Sequence, residues 1–332
     1  MNRSPMTRRD AVQRIAGLAA LPLVASCGVD RLLSPSLSLS STMSPVSLIG
    51  AGDPHALTFA TAQNAYITGK MIADRLAADP SAWAFSNGDL VPNGRAAEFR
   101  DGYHKAWGAF KARTLPTVGN HDLLADPTGT PYYDYWGALA GTRGKGYYAK
   151  TFGNWRCYFL NSQALRPEQA AWLAADLPSW TGYHIMAMWH QPHYVSPCNH
   201  GGIKTQMGWP GKNGMGQFWE ALQKHEAEFV VGGHVHRYER FPRLKRNPND
   251  VFNGIKVADP TQYQGIRQFV VGTGGVPTMP PFTPHPQVEK IVVTRGIVQF
   301  TLHADRYEWK LTDLSGAVRD SGTQTCRKVL AA

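Results

Sequence analysis

Val118-Gly119-Asn120-His121-Asp122 is the stretch that decides the fold. A β-type run, Leu115 to Val118, ends on a glycine and then presents an amide, an imidazole and a carboxylate in consecutive positions. Working outward, the arrangement recurs. Upstream, Trp83 to Ser86 runs into Gly88-Asp89, and Val46 to Gly50 runs into Gly52 and Asp53-Pro54-His55. Downstream, Ile185 to Trp189 ends at His190, and Phe229 to Val231 ends at Gly232-Gly233-His234-Val235-His236. Strand after strand thus ends in Asp, Asn or His. Open α/β sheets place their ligand sites at such carboxyl tips.

Between these runs the periodicity predicts helices over Thr61 to Ala77, Ala96 to Lys111, Pro167 to Leu177 and Gly216 to His225. Tyr147 to Phe152 and Trp155 to Asn161 form a strand pair around Gly153-Asn154. Beyond His236 the pattern changes. Gln268 to Val271, Ile291 to Thr294, Val298 to His303 and Tyr307 to Thr312 follow one another as strands without helices. The first part predicts helices covering a mixed sheet, and the second adds a second sheet.

With 332 residues, 43% hydrophobic and 17% charged, the chain has ample material for a packed core, which excludes a disordered or coiled-coil protein. No apolar run long enough to span a bilayer occurs past the N-terminus. Arg3, Arg8, Arg9 and Arg14 against Asp10 give the leader +3 of the net +10, leaving +7 for the rest. That is a mild bias toward anionic partners. Basic runs with interleaved aromatics are missing, so no nucleic-acid partner is expected.

Residues 1–27 form a targeting segment. Thr7-Arg8-Arg9-Asp10-Ala11-Val12 is a twin-arginine pattern, followed by an apolar stretch from Ile15 to Val24. Leu23-Val24-Ala25-Ser26-Cys27 resembles a bacterial lipoprotein cleavage box; the alternative is an ordinary secretory signal cut near Ala25. The expectation is an exported protein, periplasmic or at the cell surface, tethered to a membrane by acylation of Cys27. Residues 28–45, rich in Ser, Pro and Leu, are a linker, and 46–332 the folded domain. Cys157 lies in an apolar run and is expected as a buried thiol, whereas Cys198 and Cys326 could pair in an oxidising compartment. The absence of a CxxC argues against a thiolate zinc site.

The donors at the strand tips are Asp53, His55, Asp89, Asn120, His190, His234 and His236, with His121 and Asp122 left over. Mixed nitrogen and oxygen ligands suit Fe, Zn, Mn, Co or Ni better than calcium. Seven protein ligands are too many for one tetrahedral ion and fit two ions sharing a carboxylate. Residues i and i+2 at a strand end share a face, so D-x-H and H-x-H can converge. Each piece alone is unspecific, and a lone D-x-H is more often a surface or core detail. Their conjunction and order are specific.

D-x-H, G-D, G-N-H-D, a lone His and G-H-x-H, in this order, resemble the calcineurin-like metallophosphoesterase superfamily, over about Ser47 to Val329. Gly146-Tyr147-Tyr148, Trp155 to Asn161, Tyr238-Glu239-Arg240-Phe241 and Val270 to Gly275 are similar to its bacterial branch akin to purple acid phosphatases. The resemblance implies an α/β four-layer α-β-β-α sandwich of two mixed sheets, with a dimetal site at the strand carboxyl tips. It implies that Asp53, His55 and His236 bind one metal, that Asn120, His190 and His234 bind the other, and that Asp89 bridges. It makes His121 the group facing the leaving oxygen, oriented by Asp122. The purple enzymes of plants and animals carry a Tyr ligand shortly after G-D. Leu90-Val91-Pro92 has none, so His55 takes that place and no tyrosinate colour is expected.

The implied activity is a phosphatase: two divalent or trivalent cations activate a shared water, hydroxide attacks phosphorus, and His121 protonates the departing alkoxide. The substrate would be a phosphorylated small molecule or lipid. The alternatives are a phosphodiesterase on nucleotides or lipid headgroups, and a catalytically silent metal-stabilised binding protein. Other motifs add little. Gly272-Thr273-Gly274-Gly275 lacks the Lys and helix of a phosphate loop, His225-Glu226-Ala227-Glu228 lacks a second His, and no G-x-S-x-G occurs. The basic run Arg237, Arg240, Arg243, Lys245 and Arg246 is either a solvated face or a lure for anionic substrate. Tyr194 and Tyr238 either wall the pocket or simply pack.

Overall fold

The computed structural model describes residues 43–164, 167–200, 203–204, 215–245 and 265–328. The targeting segment, the linker as far as residue 42, and Arg246 lie outside them. No described helix is long and apolar enough to cross a membrane.

The first half of the chain runs β1 (Val46–Ala51), α1 (Phe59–Ala78), β2 (Trp83–Asn87), α2 (Ala96–Glu98), α3 (His104–Trp107), β3 (Thr114–Thr117), α4 (Thr130–Trp136), β4 (Tyr148–Phe152) and β5 (Trp155–Phe159). Next come α5 (Pro167–Ser179), β6 (His184–Met188), the short pair β7 (Asn199–His200) and β8 (Ile203–Lys204), α6 (Met215–Lys224) and β9 (Phe229–Gly232). The chain then continues as strands: β10 (Tyr238–Leu244), β11 (Ile266–Val271), β12 (Lys290–Val292), β13 (Gly296–Leu302), β14 (Arg306–Asp313) and β15 (Val318–Thr325).

Two mixed sheets stack face to face, in the orders β15-β14-β13-β1-β2-β3 and β12-β10-β11-β9-β6-β5-β4. The central strands are apolar along their whole length because both faces are covered. Leu48 points between the sheets while Ile49 and Ala51 point outward beneath α1; Phe229 and Val231 point inward while Val230 faces α5 and α6. The layer between the sheets is aromatic, with Phe229 stacked on Phe300 at 5.2 Å and Phe269 edge-on to Phe300 at 5.0 Å. Helices on both outer faces complete the expected α-β-β-α sandwich.

Two expectations need correction, and one open question is answered. The late strands do not build a sheet of their own. β13 pairs antiparallel with β1 and extends the first sheet, whereas β11 pairs parallel with β9 and extends the second. Period-2 patterning fixes which face of a strand is buried but not which partner it finds. The helix expected over Ala96 to Lys111 breaks into α2, a π-turn at Phe99–Tyr103, α3 and a 3-10 stretch at Gly108–Arg113. The wider turn keeps Phe99 and Tyr103 both packed on Tyr135, each with ring centroids 5.6 Å away. Cys198 and Cys326 are unbridged, the first packed beside Met279, the second in the layer between the sheets. Cys157 is the buried thiol expected, its acidity pushed well down by burial.

Candidate metal centre

β1, β2 and β3 run parallel to one another, as do β6 and β9, and they deliver their carboxyl ends to one edge of the sandwich. Asp53, His55, Asp89 and His234, just past those ends, hold positive φ values of 60°, 42°, 52° and 66°. They are four of the five non-glycine residues with positive φ among the described residues. Each costs of order 1–3 kcal/mol and persists only where the surroundings enforce it. Gly88, at φ 83°, is needed because a Cβ there would sit 2.3 Å from His190 Nδ1.

The donors meet. Asp89 Oδ2 lies 3.1 Å from His190 Nε2, 3.7 Å from His55 Nε2 and 4.0 Å from His121 Nε2. His234 Nδ1 lies 3.2 Å from His190 Nε2, and His236 Nε2 lies 3.7 Å from Asp53 Oδ1. Donor atoms of His55, Asp89 and His121 all fall within 4.8 Å of one another, as do those of Asp89, His190 and His234. Asp53 Oδ1, His55 Nε2, Asp89 Oδ2 and Asn120 Oδ1 are buried without a hydrogen-bond partner. Orphaned buried acceptors are costly. Cations would satisfy all four, so the residues fit the implied metals.

The remaining valences orient these groups. His190 Nδ1 faces Asn87 O at 2.9 Å, His121 Nδ1 faces Pro92 O at 2.7 Å, and His236 Nδ1 faces Pro277 O at 3.1 Å. An Nδ1–H donated to each carbonyl leaves Nε2 as the working nitrogen. The spare oxygens of the carboxylates accept backbone amides, Asp53 Oδ2 from His234 at 2.7 Å and Asp89 Oδ1 from His121 at 2.8 Å.

Electrostatics follow from burial and crowding. Burial lifts Asp53 well above the carboxylate range. Burial is the largest influence on Asp89 and works to raise it, but the neighbouring imidazoles of His190, His55 and His121 together outweigh it and hold Asp89 well below the usual carboxylate range. For His190, burial lowers the pKa, yet Asp89 and Asp53 together raise it to about 9.

Asp122 does not take the role expected of it. Its Oδ1 accepts Leu90 N at 2.8 Å and its Oδ2 accepts Gly119 N at 2.8 Å. It therefore ties the loop after β2 to the loop after β3, and the contact on the His121 ring is Pro92 O. Three members of the basic run are tied into the fold, and Arg237 among them is buried against Glu239. Arg240 pairs with Asp320 and Glu289, and Arg243 with Glu228. Tyr238 bonds Asp320 between the sheets, and Tyr194 packs on Trp219, so neither walls the centre. A further trio, His184, Glu228 and Cys326, lies at the opposite ends of the strands, where Arg243 and Arg327 already neutralise Glu228.

Arg237, fully buried, holds the loops around His236. It donates to Glu239 at 2.6 Å, to Met279 O at 2.8 Å and to Ser196 O. Arg237→Ala would leave the buried Glu239 without its counter-charge, held only by Ser196 N, and is expected to lower unfolding stability by about 3–5 kcal/mol in urea titrations. A loss under ~1 kcal/mol would contradict this role. In the same network His285 N donates to Ser196 Oγ, and Gln287 N donates to His285 Nδ1. Burial lowers His285 to about 4. The folded imidazole stays neutral while the unfolded one takes a proton near pH 6.5, so stability is lost as pH falls from 6.5 toward 4. Between pH 7 and 4 the wild type is expected to lose roughly 2–3 kcal/mol more than His285→Phe. Parallel stability curves would contradict it.

Residues 47–238, more than half of the chain, match the calcineurin-like phosphoesterase family model. The chain belongs to that family. Among solved structures it is similar to the purple acid phosphatase PPD1 from yellow lupin (Lupinus luteus) seeds, with a TM-score of 0.64 and 18% identity. That match covers 86% of this chain and 54% of the lupin chain, so the protein spans about half the lupin enzyme's length. GAP50, described as the anchor in the inner membrane complex of Plasmodium, matches with a TM-score of 0.62 and 13% identity, over 86% of this chain and 90% of its own. PhoD matches with a TM-score of 0.53 and 12% identity, over 85% of this chain and 68% of its own. At these identities the likeness is one of fold. No curated protein matches the sequence.

Proposed function

We propose that this protein is a dimetal phosphatase that hydrolyses phosphoesters of small molecules or lipids. The observation that carries the reading is the set of four buried, unpartnered donor atoms on Asp53, His55, Asp89 and Asn120, with Asp89 beside His190 and His55 and Asp53 beside His236. Asp53, His55 and His236 would hold one cation, Asn120, His190 and His234 the other, and Asp89 would serve both. Cations there would supply Lewis acidity toward phosphoryl oxygens and lower the pKa of a shared water.

The chain's own contribution is positional. Strained loops hold Asp53, His55, Asp89 and His234 in place, so little reorganisation is needed at the centre. His121 commits Nδ1 to Pro92 O, so a proton on Nε2 is the one available to a departing oxygen. Its side chain is 30% exposed, the most open imidazole of the centre, which leaves room for a leaving group.

The shared fold of GAP50 keeps a silent binding role as the competing reading, since fold does not carry activity. Turnover of 4-nitrophenyl phosphate against bis(4-nitrophenyl) phosphate separates the possibilities. The expected result is monoester turnover abolished by chelator and restored by added divalent metal. Faster diester turnover would assign a phosphodiesterase, and no metal-dependent turnover of either ester would contradict a hydrolase.

A further inference from the structure

Each cation of the proposed centre draws on both sheets. Asp53, His55, Asp89 and Asn120 stand beyond β1, β2 and β3, whereas His190, His234 and His236 stand beyond β6 and β9. The offset between the sheets therefore decides how closely His190 meets Asp89, and with it whether the set of Asn120, His190 and His234 can close. The layer between them is apolar and aromatic, and such burial is not directional. It holds the sheets together without setting their slide to the ~0.2 Å that metal coordination demands.

We propose that Asn87 supplies this constraint, as a positioning residue that sets His190 against Asp89; the inference rests on the dimetal reading. Asn87 ends β2, is 1% exposed and is no metal donor in that reading. Its Oδ1 accepts Thr117 Oγ1 at 2.8 Å within its own sheet, which fixes the amide's orientation. Its Nδ2 is thereby turned to Val231 O of β9, at 3.2 Å in the opposite sheet. Its carbonyl oxygen accepts His190 Nδ1 at 2.9 Å. That carbonyl sits in a slot: a Cβ on Gly233 would come within 2.7 Å of it, and one on Gly52 within 2.9 Å. One residue thus bonds both sheets and one imidazole, two positions ahead of the shared carboxylate. An apolar side chain here would leave the Thr117 hydroxyl unsatisfied and Val231 O held by Trp189 N alone, removing the side-chain tie between the sheets beside His190.

The test is Mn2+ titration of metal-free protein by calorimetry, with electron paramagnetic resonance of the loaded forms. Wild type should take two Mn2+ and show an exchange-coupled spectrum. Asn87→Leu should keep the first Mn2+ within about threefold and weaken the second by about 10–100-fold, in the range known for residues that orient ligands. Its spectrum at one equivalent excess should be that of isolated Mn2+. Thr117→Val, which only loosens the amide, should weaken the second ion in the same direction by a smaller factor. A folded Asn87→Leu with two wild-type affinities and a coupled spectrum overturns the proposal, as does equal weakening of both ions. Should Asn87→Leu not fold, an unchanged second affinity in Thr117→Val overturns it. Wild type that binds no Mn2+ pair overturns the dimetal reading itself, and is seen before any variant is made.

Discussion

Asp89→Asn is expected to strip the protein of both cations and to lower kcat/KM by at least ~10³-fold, a loss of several kcal/mol of charge stabilisation. The carboxylate is fully buried, and its Oδ2 stands within 4.0 Å of the Nε2 atoms of His190, His55 and His121. Two cations ~3.5–4 Å apart repel strongly in a low-dielectric site unless a negative group lies between them. Asparagine preserves the shape and the oxygen that accepts His121 N, but removes that charge. The loss therefore falls on metal binding and not on folding. Metal analysis after dialysis, with circular dichroism to confirm the fold, checks this; a full complement at normal rate would refute the shared role.

His121→Ala should behave in the opposite way. Both cations stay, because the seven donors are untouched. Turnover of alkyl phosphates falls by ~10²–10⁴-fold, the usual worth of a positioned proton donor, while nitrophenyl phosphates lose only a few-fold. Nitrophenolate is stable enough to leave without a proton. The split between the two substrates is the diagnostic, and equal losses on both would argue against His121 as the acid.

That these side chains come together is legible in the sequence because each stands at its own strand tip. A glycine beside a carboxylate or imidazole after an apolar run carries its meaning within a few residues, as at Gly88-Asp89 and Gly119-Asn120-His121. What escaped depends on partners distant in the chain. Arg240 and Arg243 look solvated in sequence because Asp320 and Glu228 lie 80 and 15 residues away. Asp122 seemed the natural partner of its neighbour His121, but its two oxygens satisfy loop amides that no pattern reveals, and a backbone carbonyl orients the ring. Asn87 left one trace, a polar residue closing a strand whose other tip residues are glycines and ligands. The late strands were found as strands but joined to the wrong partners, since alternation sets a buried face and not a neighbour.

The centre itself is tested most directly by a crystal structure of the Zn2+- or Mn2+-loaded protein, with anomalous scattering measured at the metal edge. Two peaks are expected, each about 2.0–2.2 Å from an oxygen of Asp89. One peak should be ringed by Asp53, His55 and His236, the other by Asn120, His190 and His234. A single peak, or two peaks that do not share Asp89, would contradict the account.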